Sequence, residues 1–147
     1  MVHRIHLKGP WDYFPLNSGA GASADSALPA SGTVKFPAKW QDVLGTFCGT
    51  VRFTRRFNQP TNLEVEDRVD LVFDGVGGHA DVRLNDRKVG SISPTESAAR
   101  FEISTDLQLH NLLEVTVTWS GPATEAGGLW APVALEIIPF GRIPIPA

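Results

Sequence analysis

The chain has 147 residues, 42% hydrophobic and 20% charged, with 13 basic against 16 acidic side chains and a net charge of −3. A chain of this length makes one ordinary domain that buries roughly 70% of the surface its unfolded form exposes, and its single cysteine excludes an internal disulfide. Charges of both signs are interleaved, which excludes the basic footprint of a nucleic-acid binder; the one local basic cluster is Arg52, Arg55 and Arg56.

The start lacks the apolar run of a signal peptide and no later stretch has the apolar length of a membrane span, so the expectation is a soluble, cytoplasmic protein without a membrane partner. Ile5 and Leu7 alternate with polar neighbours and then meet Pro10-Trp11, which predicts a first strand ending at a turn. Residues 17–32 are small and polar and predict a flexible loop. Gly19, Gly21 and Ala24 within it loosely match a dinucleotide fingerprint, which the missing strand, helix and βαβ context exclude. Ala38 to Leu44 predicts one short helix ended by Gly45.

From Val51 to Phe57 the period returns to two, with Val51, Phe53 and Phe57 on one face and Arg55 among them. A charge at a core-facing position is costly unless it is paired and hydrogen-bonded. Leu71 to Gly90 reads as two alternating strands around Gly75–Gly78, followed by a tight turn at Asn85-Asp86, two residues that tolerate positive φ. Phe101 and Ile103 mark a short strand with a turn at Thr105–Leu107. Leu113, Val115, Val117 and Trp119 share a face of the next strand, and Val133, Leu135 and Ile137 share a face of the last. The proline-rich segment 139–147 cannot supply a full ladder of donors and reads as an extended arm. Short strands, frequent turns and almost no helix predict an all-β fold, an antiparallel β-sandwich or jelly roll filling one domain over 1–147.

The order of several motifs then resembles a known family. Pro37 to Trp40, Phe53-Thr-Arg-Arg-Phe57, Leu71-Val-Phe-Asp-Gly-Val76, Val82 to Gly90, Phe101-Glu-Ile-Ser104 with Leu107, Asn111 to Val117 and Gly128-Leu-Trp-Ala-Pro-Val133 are similar, in this order, to the N-terminal sugar-binding jelly roll of glycoside hydrolase family 2, the β-galactosidases and β-glucuronidases. The resemblance covers roughly residues 36–138 and implies a galactose-binding-like fold. It implies no catalysis here, because the family's glutamates lie in a separate barrel of about 250 residues. It also implies that the residue after the Phe-Asp-Gly-Val run, an asparagine in full β-galactosidases, lends its side chain to the sugar pocket. This chain departs from the pattern there, at Gly77. The following acidic loop is shortened to Ser120–Glu125, and the arginine of the last motif is Ala131.

Hydrolysis of a glycoside needs two carboxyl groups about 5 to 9.5 Å apart. Asp74, Asp81 and Glu125 flank the glycine loops and are the groups that would have to converge. The stronger expectation is structural: Asp74 or Asp81 accepts hydrogen bonds from the loop backbone or pairs with Arg55, so that Arg55 anchors the interior. No catalytic residue is assigned. His3 and His6, three apart on a strand, point to opposite faces, and His79 and His110 lack a ligand pattern, so no metal site is assigned; structural calcium is the one cofactor left open, though no spacing demands it. Sugar binding pairs an aromatic platform with polar groups. Trp119 belongs with the core face, while Trp11 and Trp40 resemble family positions that pack beneath loops. Trp130, on a loop preceded by glycines, is the expected platform, with His79, Asp81 and Glu125 as its polar partners.

The leading expectation is therefore a non-catalytic carbohydrate-binding-like module. The alternative is a protein–protein assembly module that kept the sandwich and lost the sugar site, joined to a partner or to its own copy through Phe140, Ile143 and Ile145 of the C-terminal arm. An enzyme acting alone is the least supported class.

Overall fold

The computed structural model describes residues 2–18, 28–45, 47–64, 66–96, 98–121 and 125–139. Within them lie β1 (His3–His6), β2 (Trp11–Ser18), β3 (Gly32–Val34), α1 (Trp40–Leu44), β4 (Gly49–Asn58), β5 (Arg68–Phe73), β6 (His79–Leu84), β7 (Arg87–Ile92), β8 (Ala99–Glu102), β9 (His110–Trp119) and β10 (Val133–Ile138). They form two antiparallel sheets, a four-stranded one in the order β1-β10-β5-β8 and a six-stranded one in the order β3-β2-β4-β9-β6-β7. No helix among the described residues is long and apolar enough to cross a membrane.

Period-two alternation sets which face each strand buries. Val51 and Phe53 of β4, Ala80, Val82 and Leu84 of β6, and Leu113, Val115 and Val117 of β9 are buried, and so are Val69, Leu71 and Phe73 of β5 and Val133 and Leu135 of β10 in the opposing sheet. Each such side chain larger than alanine contributes about 1.5–3 kcal/mol relative to exposure. The backbone of the larger sheet is the β4–β9 ladder, ten residues in unbroken register from Gly49 opposite Trp119 to Asn58 opposite His110. An aromatic group closes the core near α1: the Phe36 ring meets Trp11 at 5.2 Å and Phe53 at 5.3 Å, both edge-on, and Trp40 stacks on Phe47 at 6.2 Å. Trp11 and Trp40 are both buried, as their place beneath the loops implies.

The short helix and its end at Gly45 (φ +62°) match the sequence reading, and Asn85 and Asp86 take the positive φ of the β6–β7 turn. Three expectations are corrected. The first strand does end at a turn before Pro10-Trp11, but Trp11 then opens β2, which reaches Ser18, while β3 begins at Gly32; the loop expected over 17–32 loses both its ends to strands. Phe14 and Leu16 point apolar groups outward, 43% and 38% exposed, and this erased the alternation that reveals a strand. Residues 71–90 are not one paired unit either, because β5 and β6 belong to different sheets and Gly75–Gly78 carries the chain between them. Residues 19–27, with the loosely matching glycines, and the arm beyond Pro139 lie outside the described residues.

The third correction concerns Arg55. It does lie on the inward face of β4, but it pairs with neither Asp74 nor Asp81. Asp74 continues the outward face of β5 and forms an ion pair with Arg4, whereas Asp81 sits on the outward face of β6 in the other sheet. The two carboxylates point away from opposite sides of the sandwich, so they cannot converge on one another or on a charge between the sheets.

Asp74 is one end of an ionic network across the outer face of the smaller sheet. Arg4, Glu136, Asp70 and Glu102 stand in register across β1, β10, β5 and β8. Arg4 Nη1 donates to Glu136 (2.8 Å), Arg100 donates to Glu136 (2.7 Å) and to Asp70 (2.8 Å), and Arg68 Nε donates to Asp70 (2.8 Å). The Asp70 side chain is 1% exposed, covered by its arginines. Burial pushes its carboxyl up, but the hydrogen bonds from Arg68 and Arg100 outweigh this and hold it below the usual carboxylate range. The hydrogen bond from Arg100 does the same for Glu136.

A glycine-built cleft as the candidate functional site

Close backbone approach shapes the end of the sandwich where β5 passes to β6 and β9 to β10. Gly77 and Gly128 exchange two backbone hydrogen bonds of 2.9 and 3.0 Å. A Cβ on Gly77 would stand 2.2 Å from the Ala126 carbonyl oxygen and 2.7 Å from the Gly127 Cα, so only glycine fits unless that backbone moves. The position at which the family resemblance implies an asparagine is thus packed here against the 126–128 backbone.

The same segment is held from behind by α1. Gln41 Nε2 donates to the Glu125 carbonyl (2.5 Å), Gln41 Oε1 accepts from Gly127 N (3.4 Å), and Trp40 N donates to the Gly127 carbonyl (2.9 Å). Trp119 lies between glycines: a Cβ on Gly121 would meet its ring at 2.5 Å, and one on Gly127 at 2.6 Å. Together these elements leave a cleft of about 440 Å³ lined by Trp119, Gly77 and Gly78, with His79, Glu96, Thr118 and Glu125 among its polar groups. That volume is in the range of small-molecule sites.

The expected ligand surface is divided by this geometry. His79 and Glu125 share the cleft. Asp81 stands beside His79, with His79 Nε2 at 3.3 Å and Ser91 Oγ donating at 2.8 Å. The Ser91 hydrogen bond, with His79 and Lys88 adding to it against burial, holds the Asp81 carboxyl below its ordinary range. Because a carboxylate only accepts, the His79 contact puts the imidazole proton on Nε2. Trp130 is 38% exposed, as expected, but it does not line this cleft. Its ring covers Gly75, where a Cβ would stand 2.4 Å from Trp130 Cζ2. Trp119, assigned from its alternation to the core, is buried there at 6% exposure and also contributes to the lining of the cleft. Alternation reports which way a side chain points and is silent about a cleft that opens over a strand's end.

The sequence reading also missed Gln41 and the two asparagines that secure the far end of the fold. Asn85 Nδ2 donates to the Asp106 carbonyl and to Asn111 Oδ1 (3.0 Å each), while Asn85 Oδ1 accepts from Leu112 N (2.9 Å). Asn111, 3% exposed, also accepts from Gln108 N (2.8 Å) and donates to the carbonyls of Gln108 (2.8 Å) and Phe57 (3.3 Å). Its position just before a long apolar alternation was the available signal. Among the described residues, no three His, Cys, Asp or Glu side chains are grouped to hold a metal ion.

Two antiparallel sheets in this order, with a loop-built cleft at one end, define a galactose-binding-like β-sandwich. The family described as glycosyl hydrolase 2 galactose-binding domain-like matches residues 48–126, and the chain belongs to that family. Solved structures repeat the fold over nearly its whole length. The β-glucuronidase of Bifidobacterium dentium superposes with a TM-score of 0.73 at 23% identity, over 94% of this chain and 30% of its own. A Faecalibacterium prausnitzii β-glucuronidase gives 0.74 at 20% identity, over 95% and 32%. A putative β-galactosidase from Bacteroides fragilis gives 0.70 at 24% identity, over 92% and 23%. The chain therefore spans less than a third of those proteins, and at these identities the likeness is one of fold. No curated protein matches the sequence.

Proposed function

We propose that this domain is a non-catalytic carbohydrate-binding module of the family 2 type, and that its ligand site is the Trp119 cleft. The observation that carries the reading is a cleft of about 440 Å³ whose lining brings one aromatic ring, Trp119, together with the polar side chains of His79, Thr118 and Glu125. An indole offers its face to the C–H side of a sugar ring while imidazole, carboxylate and hydroxyl groups meet its hydroxyls, the usual division of labour in a small polar-ligand site. The separation of Asp74 from Asp81 onto opposite outer faces supports the absence of glycosidase chemistry. Titrating the protein with a panel of neutral mono- and disaccharides tests this through tryptophan fluorescence. A saturable change that is weakened by His79→Ala and by Glu125→Gln, and is retained in Trp130→Ala, is expected. A change lost only in Trp130→Ala moves the site to that residue and rejects the cleft.

A second reading, an assembly module, draws on one observation: Gly77, where the family resemblance implies a pocket asparagine, is bridged to Gly128 and has no room for a side chain. In that reading the exposed indole of Trp130 is an anchor for a protein partner. A silent sugar panel together with self-association that Trp130→Ala abolishes, measured by sedimentation, favours it.

A further inference from the structure

We propose that the sandwich carries a second binding site, for a small organic oxyanion bearing a carboxylate or phosphate, in the cleft where the two sheets part at the Asn58–His110 end. This cleft of about 530 Å³ has apolar walls from both sheets, Ile5, Leu7 and Leu135 on one side and Phe57 on the other. Among the described residues its ionisable lining is Arg55, Arg56, His6 and His110, with no carboxylate.

Arg55 is the centre of the argument. Its side chain leaves the inward face of β4, and its Nε is buried without a hydrogen-bond partner, while Nη1 donates to the Arg56 carbonyl. Arg4, Arg68, Arg87 and Arg100 are each paired with a carboxylate, and among the described residues Arg55 has no such partner. A buried guanidinium donor without a partner is costly, and nothing in the wall of this cleft offers it an oxyanion. The planar fork of donors fits a carboxylate or a phosphate in two-point contact, and low-dielectric walls strengthen the field of neighbouring positive groups. The site is also preorganised. Asn111 donates to the Phe57 carbonyl (3.3 Å), and His110 Nδ1 lies 3.0 Å from Asn58 Oδ1, so the β4 and β9 ends that frame the opening are tied together. The β4–β9 ladder separates this cleft from the Trp119 cleft by nine residue steps, about 30 Å, so the two sites are independent.

The test is a backbone-amide NMR titration of the full chain with D-glucuronate, with inorganic phosphate and, as the neutral control, with D-glucose. At least one anion is expected to shift amides of residues 5–7, 55–58 and 110–111, glucose to leave them in place, and the two anions to tell carboxylate from phosphate chemistry. Arg55→Met weakens binding at least about tenfold, the loss expected for a charged two-point contact. Arg56→Met, at an exposed position, weakens it severalfold and serves as the folded variant should Arg55→Met unfold. His79→Ala leaves the anion response unchanged, which separates this site from the sugar reading. Absence of shifts with both anions, equal shifts with glucose, or a response undiminished in the folded arginine variants overturns the proposal.

Discussion

The two ends of this sandwich are closed by opposite means. At the Trp119 end the loops meet through bare backbone: Gly77 bridges Gly128, and two further glycines press on the indole. At the Asn111 end they meet through side-chain amides, with Asn85 and Asn111 meeting at 3.0 Å and tying three loop segments together. A backbone closure is intolerant of any added atom, while an amide closure is intolerant of any lost one. The difference teaches that main chain packed on main chain fixes a loop as firmly as side-chain amides do, so that any side chain added at Gly77 displaces the 126–128 backbone.

The most damaging way to probe the comparison is to return the family residue. Gly77→Asn puts a Cβ within 2.2 Å of a backbone oxygen and breaks the bridge, so thermal or urea denaturation should show a loss of about 2–4 kcal/mol with no gain in sugar response. At the other end Asn111→Ala leaves the Gln108 N–H and the Phe57 and Gln108 carbonyls without their amide partner, and a loss of about 2–3 kcal/mol is expected in the same measurement. Asp70→Asn, on the outer face between the ends, costs about 1–2 kcal/mol near neutral pH, because its arginine partners are half exposed and turn to water.

That last variant also has a pH signature. Asp70 and Glu136 both titrate lower in the folded protein than in the unfolded chain, so their contribution is fully present above the unfolded values near pH 4 and lost as pH falls through the lower folded ones. Asp70→Asn flattens the acid limb of the stability curve, and an unchanged limb would remove the network from the account. The smallest effect belongs to His79→Ala, whose half-exposed side chain makes one long contact; stability should stay within about 0.5 kcal/mol of the parent while the sugar response falls.

Most strands were legible in the sequence because their apolar residues alternate, and the Asn85-Asp86 turn was legible because few residues accept its φ values. β2 was hidden, since Phe14 and Leu16 put apolar groups on the solvent side and broke the period. Sheet membership was hidden too: Gly75–Gly78 reads locally as a turn between paired strands, and only the long-range approach of 126–128 shows that it is a passage between sheets. The inward position of Arg55 was visible, but the whereabouts of the carboxylates was not, because they are set by strand order. Asp70 looked like one more outward polar residue; its burial comes from arginines on its own strand and on β8. The candidate site was half legible for the same reason. His79 and Glu125, singled out from their glycine-rich surroundings, do line one cleft, whereas the Trp130 ring covers Gly75 outside it, a separation set by long-range loop packing.

The central claim is that a neutral sugar sits on Trp119 at the glycine-built end. The most direct measurement follows the indole N–H and backbone amide resonances of the protein while the best ligand from a neutral saccharide panel is added. The account predicts saturable shifts centred on residues 76–79, 118–121 and 125–126 with the Trp119 indole among them. Shifts centred on Trp130, or none with any member of the panel, would contradict it.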